Sequence, residues 1–468
     1  MTNAPAANGN PLHRLTPEQI EELGREFQAI HDEVYADLGA EDAHYIRSMI
    51  QFQRRLATVG RVELIASRAP AAWLLGTLTL SAAKILENME IGHNVLHGQW
   101  DWMNDPNIHS SIWDWDTASP AAAWKHSHNF VHHTYTNIVG KDKDVGYEIL
   151  RVDPKQAWHP MYLLQPFYNV LLAALFEWGV ATHDLDFEAI RKGTKPKEQV
   201  REEVREILRK GRRQIVKDYV AWPLVSGVVM TAIELASIAA FGQPAQERRK
   251  PLKTRLRRGV KEAGPPRGSR LERELVRRLR GDAAGSVGIR LADTGAVVAR
   301  LIERRSFREP FRRTLTANLT ANFIRNVWSY AIIFCGHFPD QAYTFTEEEV
   351  EGETRGGWYV RQLIGAVNIE GGPFFHVMSG NLSYQVEHHL FPDMPSSRYQ
   401  QIAPRVRKIC ERYDLPYNTG PFGKQLGSVQ RTLLRLAFPG GAPRPKPGPH
   451  REPAESEATS EAAVPAFP

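Results

Sequence analysis

"HSHNFVHHTYTN", residues 126–137, places four histidines within eight positions: His126, His128, His132 and His133. Imidazole is the commonest side-chain ligand of metals, and its neutral ring nitrogen suits iron, zinc and copper alike. A single histidine cluster, however, is often only surface decoration. Whether this stretch binds a metal, and for what chemistry, therefore depends on the other histidines of the chain.

Further histidines lie at or near apolar segments. "GHNVLHG" places His93 and His97 four positions apart, on one face of a helix. "QVEHH" ends in His388 and His389, and His337 ends the apolar "AIIFCGH". Seven or eight nitrogen ligands are too many for one ion and suit two. Because the three groups "GHNVLHG", "HNFVHH" and "QVEHH" contain no cysteine, the pattern disfavours a closed zinc site and favours redox-active iron with open positions for dioxygen.

Overall composition describes a soluble protein, but the distribution of apolar residues does not. The 468 residues are 42% apolar and 24% charged, with a mean hydropathy of −0.40. No run of 18 or more uninterrupted apolar residues exists, so no segment is an unambiguous membrane span. Four segments are still apolar enough to be candidates: the middle of 63–98, then 160–181, 219–242 and 318–339. Cys335 and Cys410 fit a reduced, cytoplasm-facing protein.

The net charge of +6 conceals one very basic block. Residues 248–313 hold 21 lysines and arginines against 7 acidic residues, a balance of +14, which leaves −8 for the rest of the chain. The block has no aromatic residue between Arg248 and Ser306, so stacking on bases has no support. The sequence therefore predicts no nucleic-acid partner.

The order HxxxH, HxxxHH and QxxHH resembles that of the membrane fatty acid desaturases. We call residues 93–97, 128–133 and 385–389 the first, second and third boxes. Their flanks, "WKHSHNFVHHTYTN" and "GNLSYQVEHHLFPDMP", resemble bacterial acyl desaturases of the actinobacterial type. The resemblance implies an all-α integral membrane protein, in which about four transmembrane helices are capped by a cytosolic helical domain with a di-iron site. The implied location is the cell membrane, with the active site facing the cytoplasm.

The resemblance also implies a reaction and its participants. Such an enzyme introduces a double bond into the acyl chain of an acyl-CoA or acyl-lipid, with two iron ions as cofactors and dioxygen as co-substrate. A separate electron donor, such as a ferredoxin or an NAD(P)H-dependent reductase, is expected, because the chain has neither a His-Pro-Gly-Gly haem motif nor a Gly-rich dinucleotide fingerprint. Carried over by position, the implied iron ligands are His93, His97, His128, His132, His133, His337, His388 and His389.

Other residues near the boxes are candidates for supporting roles. Gln385 stands where some relatives have another histidine, so it is expected to ligate weakly or to hold a water. His126, outside the second box proper, is expected to support a ligand rather than to be one. Glu90 precedes His93 by three residues and would share its helical face, so it could orient a ligating ring. Glu387 and Asp144 are weaker candidates of the same kind.

Five regions are predicted along the chain. Residues 1–58 form a polar, partly disordered N-terminal segment that contains a helix start at Thr16. Residues 59–227 and 306–438 form the two catalytic parts, separated by a basic insertion of low order at 228–305; a Pro-rich disordered tail follows at 439–468. The second and third boxes must face the same side of the membrane, so an even number of spans separates them. Three apolar candidates lie between these boxes, and 160–181 is predicted to be the one that does not cross.

Two alternative functions and the role of the clustered tryptophans remain open from the sequence. A related di-iron centre could hydroxylate an alkane or lipid instead of desaturating it. A non-catalytic metal-binding or transport protein of the membrane is a further alternative, although its ligands would be spaced along a pore. The clustered residues Trp100, Trp102, Trp113, Trp115 and Trp124 favour an aromatic belt at the membrane interface over the wall of an acyl channel.

Overall fold

Helices make up almost all of the regular structure in this computed structural model, which describes residues 11–241, 302–441 and 446. The longer α-helices are Pro17–Asp37, Ala40–Ile65, Pro70–Leu86, Lys197–Ile215, Trp222–Phe241, Arg305–His337, Arg355–Gly365, Tyr399–Arg412 and Phe422–Leu436. The shorter ones are Asn94–Leu96, Ala121–Trp124, His133–Tyr135, Gln165–Ala174, Phe176–His183, Phe187–Lys192, Pro373–Met378 and Gln385–Leu390. Wider π-helical turns occupy Glu87–His93, Lys125–His132 and Val216–Ala221.

A small parallel strand pair qualifies the predicted all-α class. Asn368–Glu370 pairs with Thr419–Pro421, with Ile369 opposite Gly420. The Asn368 side chain also donates to the carboxylate of Glu387, with Nδ2 2.9 Å from Oε2. The pair thus fixes the chain beside the third box.

The chain divides into two compact units. Of the described residues, the first contains 11–55, 81–214, 322–441 and 446, and the second contains 56–80, 215–241 and 302–321. All three boxes and His337 belong to the first unit. The site is therefore described within that unit alone.

The N-terminal helix Pro17–Asp37 begins as its sequence predicts. The Thr16 hydroxyl accepts from the Gln19 backbone N–H, and the Gln19 side chain accepts from the Thr16 N–H, which completes the capping box. Leu23, Phe27, Ile30 and Val34 recur at helical spacing and are buried. The segment is therefore part of the core rather than a peripheral polar arm.

The core of the first unit holds the third box. The buried apolar face of Pro17–Asp37 packs with the helices Arg355–Gly365 and Tyr399–Arg412. A glycine makes one of these approaches feasible, because a Cβ at Gly356 would lie only 2.2 Å from the Ile20 carbonyl oxygen. Val386 and Leu390 join the same core from the third-box helix, so apolar packing orients His388 and His389.

The second unit contains the turn of a helical hairpin, with residues 56–80, where the sequence indicated a single apolar candidate within 63–98. Ala40–Ile65 and Pro70–Leu86 turn between residues 66 and 69. They approach closely at Gly60, where a Cβ would lie 2.9 Å from the Leu80 nitrogen. Leu64 and Leu80 pack there against Ala317 and Ala321.

One continuous helical run among the described residues is long and apolar enough to cross a membrane, Lys197–Phe241. A second candidate is broken: Pro160–Ala174 and Phe176–His183 meet at an angle of 102°. This break is compatible with the expectation that 160–181 does not cross directly.

Two predicted domain boundaries fall inside helices. Residue 58 lies within Ala40–Ile65, and residue 228 lies within Trp222–Phe241. Apolar residues sustain the second helix to Phe241, so the start of the low-order insertion at 228 is wrong. Residues 242–301 of that predicted insertion, and residues 442–445 and 447–468 of the predicted tail, lie outside the described residues.

Candidate metal centre

The first two boxes lie where helices widen into π-helical turns. His93 ends the π-helical stretch Glu87–His93, and His128 and His132 lie in the stretch Lys125–His132. Such turns are rare and occur often at functional sites, because the wider turn re-aims side chains that a regular helix would direct elsewhere. The π-helical backbone therefore helps to set the directions of the His93, His128 and His132 side chains.

The predicted ligands converge in the interior of the first unit, in two groups. The potential ligand atoms of each group lie within 4.8 Å of one another: His93, His97, His128 and His388 in the first group, and His132, His337 and His389 in the second. The His133 ring lies between the groups, with its centroid 4.8 Å from that of His97 and 4.6 Å from that of His389. All eight side chains therefore form one continuous cluster.

Hydrogen bonds to the Nδ1 atoms fix several of these rings. The Nδ1 of His132 donates to Asp142 at 3.0 Å, and that of His389 donates to Gln362 Oε1 at 2.9 Å. Ligating histidines are commonly held in this way by a partner on the other ring nitrogen. The remaining contacts of this kind join His93 to Asn94, His128 to Asp144 and His388 to the Tyr399 hydroxyl.

The Nε2 atoms are left facing the inside of the cluster. Among the described residues, the buried Nε2 atoms of His97, His128, His132, His133 and His388 have no hydrogen-bond partner. His337 and His389 bring their Nε2 atoms within 3.4 Å of each other. Buried polar atoms are normally satisfied, so converging unpaired imidazole nitrogens fit a shared cation.

Burial keeps most of these imidazoles neutral, the form that binds metals. Burial, assisted by the proximity of His128, lowers the pKa of His93 to about 3. The pKa values of His97, His133, His388 and His389 lie well below their usual range for the same reasons. His132 differs: burial opposes its protonation, but Asp142 and Asp144 raise its pKa overall.

Gln385 lies at the cluster, but His126 does not. The Gln385 amide nitrogen is 3.0 Å from His337 Nε2, and its Oε1 is buried without a partner among the described residues. His126 is exposed and stacks on the exposed Phe130. Residues two apart on a helix do not face each other, so His126 points away when His128 points inward. The expected supporting role of His126 is therefore wrong.

The Glu90 carboxylate does not orient a ligating histidine. It accepts hydrogen bonds from Tyr45 at 2.6 Å, Asn381 at 3.0 Å and Ser396 at 3.1 Å. The partner of His93 is Asn94, whose amide donates to the backbone carbonyl of Glu90 at 2.9 Å. The carboxylate instead ties the first-box segment to the chain on both sides of the third box.

The two weaker acidic candidates differ from each other. The Asp144 carboxylate lies 3.3 Å from His128 Nδ1 and 3.1 Å from His183 Nε2. It therefore has the predicted contact with a box histidine. Glu387 accepts from Tyr417 and Asn368, so it supports the third box from behind.

A narrow apolar pocket opens beside the cluster. His93, His128, His337 and Gln385 line one part of it. The remaining walls are largely apolar or aromatic and include Met89, Trp115, Trp124, Tyr147, Phe176, Val180, Ile333 and Leu382. The largely apolar lining suits a hydrocarbon chain beside the histidines.

Comparison with known sequences assigns this arrangement to a family. The sequence model described as "Fatty acid desaturase" matches residues 68–242 and 265–421. The chain belongs to the fatty acid desaturase family. The resemblance of the three boxes is thereby confirmed, and so is acyl desaturation as the function at the level of the family. The gap in the match, 243–264, is shorter than the predicted insertion.

Relatives of this desaturase include one that matches most of its length. It is 42% identical over 425 residues to the "NADPH-dependent stearoyl-CoA 9-desaturase" of Mycobacterium tuberculosis, covering 91% of this chain and 82% of the relative. "Fatty acid desaturase 3" of Homo sapiens is 37% identical over 88 residues, 19% of this chain and 20% of the relative. The "Acyl-lipid (9-3)-desaturase" of Borago officinalis is 35% identical over 95 residues, 20% and 21% of the two chains. No solved structure shows a significant match.

Three of the tryptophans predicted to form an interfacial belt belong to the desaturase interior. Trp100, Trp115 and Trp124 are buried. Trp124 stacks on the His128 ring at a centroid distance of 4.6 Å and lines the pocket together with Trp115. For these residues the interfacial interpretation is wrong, because their rings pack against the boxes.

Several residues that hold the histidines were missed from the sequence. Asp142 follows the second box within "GKDKD", where it looks like one of several surface charges. Gln362 and Tyr399 lie on other helices, and neither is part of a motif. Only Asn94 gave a signal that could have been used, because its amide oxygen is adjacent in sequence to His93 and a ligating histidine needs an acceptor for its other ring nitrogen.

Glu90→Gln is expected to preserve the metal centre and to change how the stability of the folded protein depends on pH. Burial outweighs the three hydrogen bonds and raises the Glu90 pKa from 4.5 to about 7. The folded state therefore holds a proton that the unfolded state loses, and stability falls as pH rises from 4.5 to about 7, by roughly 3 kcal/mol. The glutamine variant should lack this slope in thermal unfolding between about pH 4 and pH 8 and keep its metal content. An unchanged slope would contradict the assignment.

Proposed function

We propose that this desaturase converts a saturated acyl-CoA of the stearoyl class into the 9-unsaturated product. The observation that carries the proposal is the buried double group of histidines beside an apolar pocket. The long relative in Mycobacterium tuberculosis, which is named for stearoyl-CoA, supports acyl-CoA over acyl-lipid. The balanced reaction is a saturated acyl chain plus dioxygen, two electrons and two protons, giving an unsaturated chain and two waters.

Two iron ions fit the donor set. His93, His97, His128 and His388 would hold one ion, and His132, His337 and His389 would hold the other. His133 lies between the groups and would complete either set. When bound, the iron ions supply the activation of dioxygen that removes hydrogen from an unactivated chain. Gln385 would face the same space with its unpaired amide oxygen.

The remaining side chains position the reactants. Asp142, Gln362 and Tyr399 hold ring orientations through the Nδ1 atoms, which leaves the Nε2 atoms available. The aromatic walls formed by Trp115, Trp124 and Phe176 would exclude water and align the chain beside His93 and His128. Desaturation at one position of a featureless chain requires this positional control.

The family is one of membrane proteins, and we propose the finer arrangement of two helical hairpins in the cell membrane. About four helices would be embedded, with the box histidines facing the cytoplasm. Many apolar side chains of the second unit are exposed, which a bilayer would explain; examples are Val62, Leu75, Leu78, Val228 and Ile233. A separate protein, such as a ferredoxin or an NAD(P)H-dependent reductase, would donate the electrons.

Product analysis tests the proposal. The purified protein, loaded with iron and supplied with stearoyl-CoA, dioxygen and an electron-donating extract with NADPH, should form a product that has lost two hydrogen atoms, with the double bond at carbon 9. A product that gains one oxygen atom would indicate the hydroxylase instead. Tight metal exchange without oxygen consumption or product would indicate a metal-binding protein.

A further inference from the structure

A second opening reaches the cluster, away from the residues that line the apolar pocket. This groove is open to the surface and includes His133 in its lining. Its other lining residues include Tyr135, Lys141, Arg355, Trp358 and Asp393. The apolar pocket contacts the cluster through His93, His128 and His337 instead. The histidines therefore lie between two different openings.

Trp358 connects the floor of the groove to the second box. Its indole N–H donates to the backbone carbonyl of His133 at 3.2 Å. The ring is half-buried, and the exposed Arg355 stacks on it at 4.0 Å from the ring centroid. Arg355 also stacks on Tyr359 at 4.6 Å. The Trp358 ring thus contacts Arg355 at the surface and the backbone of His133 in the cluster.

Gln362, one helical turn beyond Trp358, extends the connection to the third box. Its Nε2 donates to the same His133 carbonyl at 2.9 Å, and its Oε1 accepts from His389 Nδ1 at 2.9 Å. Trp358 and Gln362 lie four residues apart and share one face of the helix Arg355–Gly365. One helix face therefore joins the groove to His133 and His389.

We infer that this groove is the docking site of the electron donor and that Trp358 is the point of electron entry. The inference rests on the proposed function, which requires two electrons in each turnover. The groove is an open surface depression where the hydrogen-bonded shell of the histidines reaches the surface, while the apolar pocket is suited to the substrate. Electrons and acyl chain would then reach the cluster from different sides.

The partner that fits is a soluble protein carrying one electron at a time. The groove carboxylates have internal partners, since Glu353 pairs with Arg361 at 2.7 Å and Asp393 with His31 at 3.3 Å. The Arg355 guanidinium stacks on rings at the opening, which favours an acidic partner surface. In each of two encounters the reduced carrier would be oxidised by one electron, and the ferric centre would gain it. Contacts of this kind are small and transient.

Light-driven reduction tests the point of entry without the natural donor. The native thiols Cys335 and Cys410 are buried, so a ruthenium photosensitiser can be attached selectively to Arg355→Cys and, as a control, to Lys408→Cys, an exposed position outside the groove. A flash sends an electron from the excited ruthenium complex to the ferric centre, and ascorbate re-reduces the oxidised complex. The measurement is the rate at which the ferric absorbance disappears.

Reduction from position 355 should be several-fold faster than from 408, and Trp358→Phe should slow it several-fold with unchanged iron content. The label at 355, but not at 408, should also block turnover driven by the natural donor and spare a single turnover started with dithionite. Equal rates from both labels, or an unaffected donor-driven rate, would overturn the inference. So would a raised KM for acyl-CoA with unchanged reduction, because the groove would then hold the coenzyme. Failure of the proposed function is distinct: dithionite would give no product in any variant.

Discussion

His389→Ala is expected to abolish desaturation and to lower the iron content from two ions per chain toward one. His389 is fully buried, and its ligand atom lies within 4.8 Å of those of His132 and His337. Removing it leaves the second group with two histidines and leaves Gln362 Oε1 without its ring donor. A partly filled ligand set binds iron weakly and no longer holds the metal in the defined geometry that dioxygen activation needs.

His126→Ala provides the matched control for that loss. His126 belongs to the same histidine-rich stretch, but it is exposed and stacks only on Phe130 among its described ring contacts. Its variant should keep both iron ions and the full turnover rate. Metal analysis and product formation from stearoyl-CoA would be measured on both variants. Two iron ions and normal turnover in His389→Ala would remove His389 from the proposed ligand set.

The grouping of histidines within a box could be predicted because it is local, whereas the convergence of the three boxes on one site was implied by the family resemblance. Within a box, helical spacing fixes which imidazoles share a face, and the resemblance supplied the order of the boxes and the addition of His337. Nothing local marks Gln362 or Tyr399 as partners of His389 and His388, since these contacts depend on how distant helices pack. Sequence patterns specify faces of elements, and packing decides which faces meet.

Glu90 shows how a local rule fails at a functional site. Regular α-helical spacing places Glu90, His93 and His97 on one face, which predicted a carboxylate beside an imidazole. The π-helical turns Glu87–His93 change the angle between successive residues, and the carboxylate points to Tyr45, Asn381 and Ser396 instead. Periodicity assumes a regular helix, whereas this stretch departs from one where the ligands begin.

Hydropathy also underestimates the helices around the site. The segment predicted as apolar at 318–339 carries Asn318, Asn322, Arg325 and Asn326, all of them buried in the helix Arg305–His337. Two of them have partners on other elements: Arg325 pairs with Glu177, and Asn326 donates to the Ala174 carbonyl. Asn318 donates within its own helix, to the Thr314 carbonyl. An average of hydropathy treats these residues as polar surface. It therefore underestimates how much of the helix Arg305–His337 is buried.

The ion pair between Arg325 and Glu177 is expected to give the largest effect on stability. The side chains are 1% and 5% exposed, their charged atoms are 2.5 Å apart, and Gln214 donates to the same carboxylate at 2.7 Å. Arg325→Met would leave the Glu177 charge buried without a cation beside the apolar pocket. Removing one partner of a buried pair costs about 3–5 kcal/mol. We expect a comparable loss from Glu177→Gln, which strands the guanidinium.

The double variant, Glu177→Gln with Arg325→Met, measures how much of the loss comes from the direct interaction between the two charges. The new amide at position 177 can still accept from Gln214, and the thioether side chain at position 325 fills the volume of the arginine stem, so no uncompensated charge remains. Thermal unfolding in lipid nanodiscs should therefore show the double variant to be more stable than either single variant, with a coupling energy of about 2 kcal/mol or more. Additive losses would contradict a direct ion pair.

Because Glu177 lines the pocket, the two single variants should also bind stearoyl-CoA more weakly. The double variant should recover that affinity, since no unpaired charge remains beside its pocket.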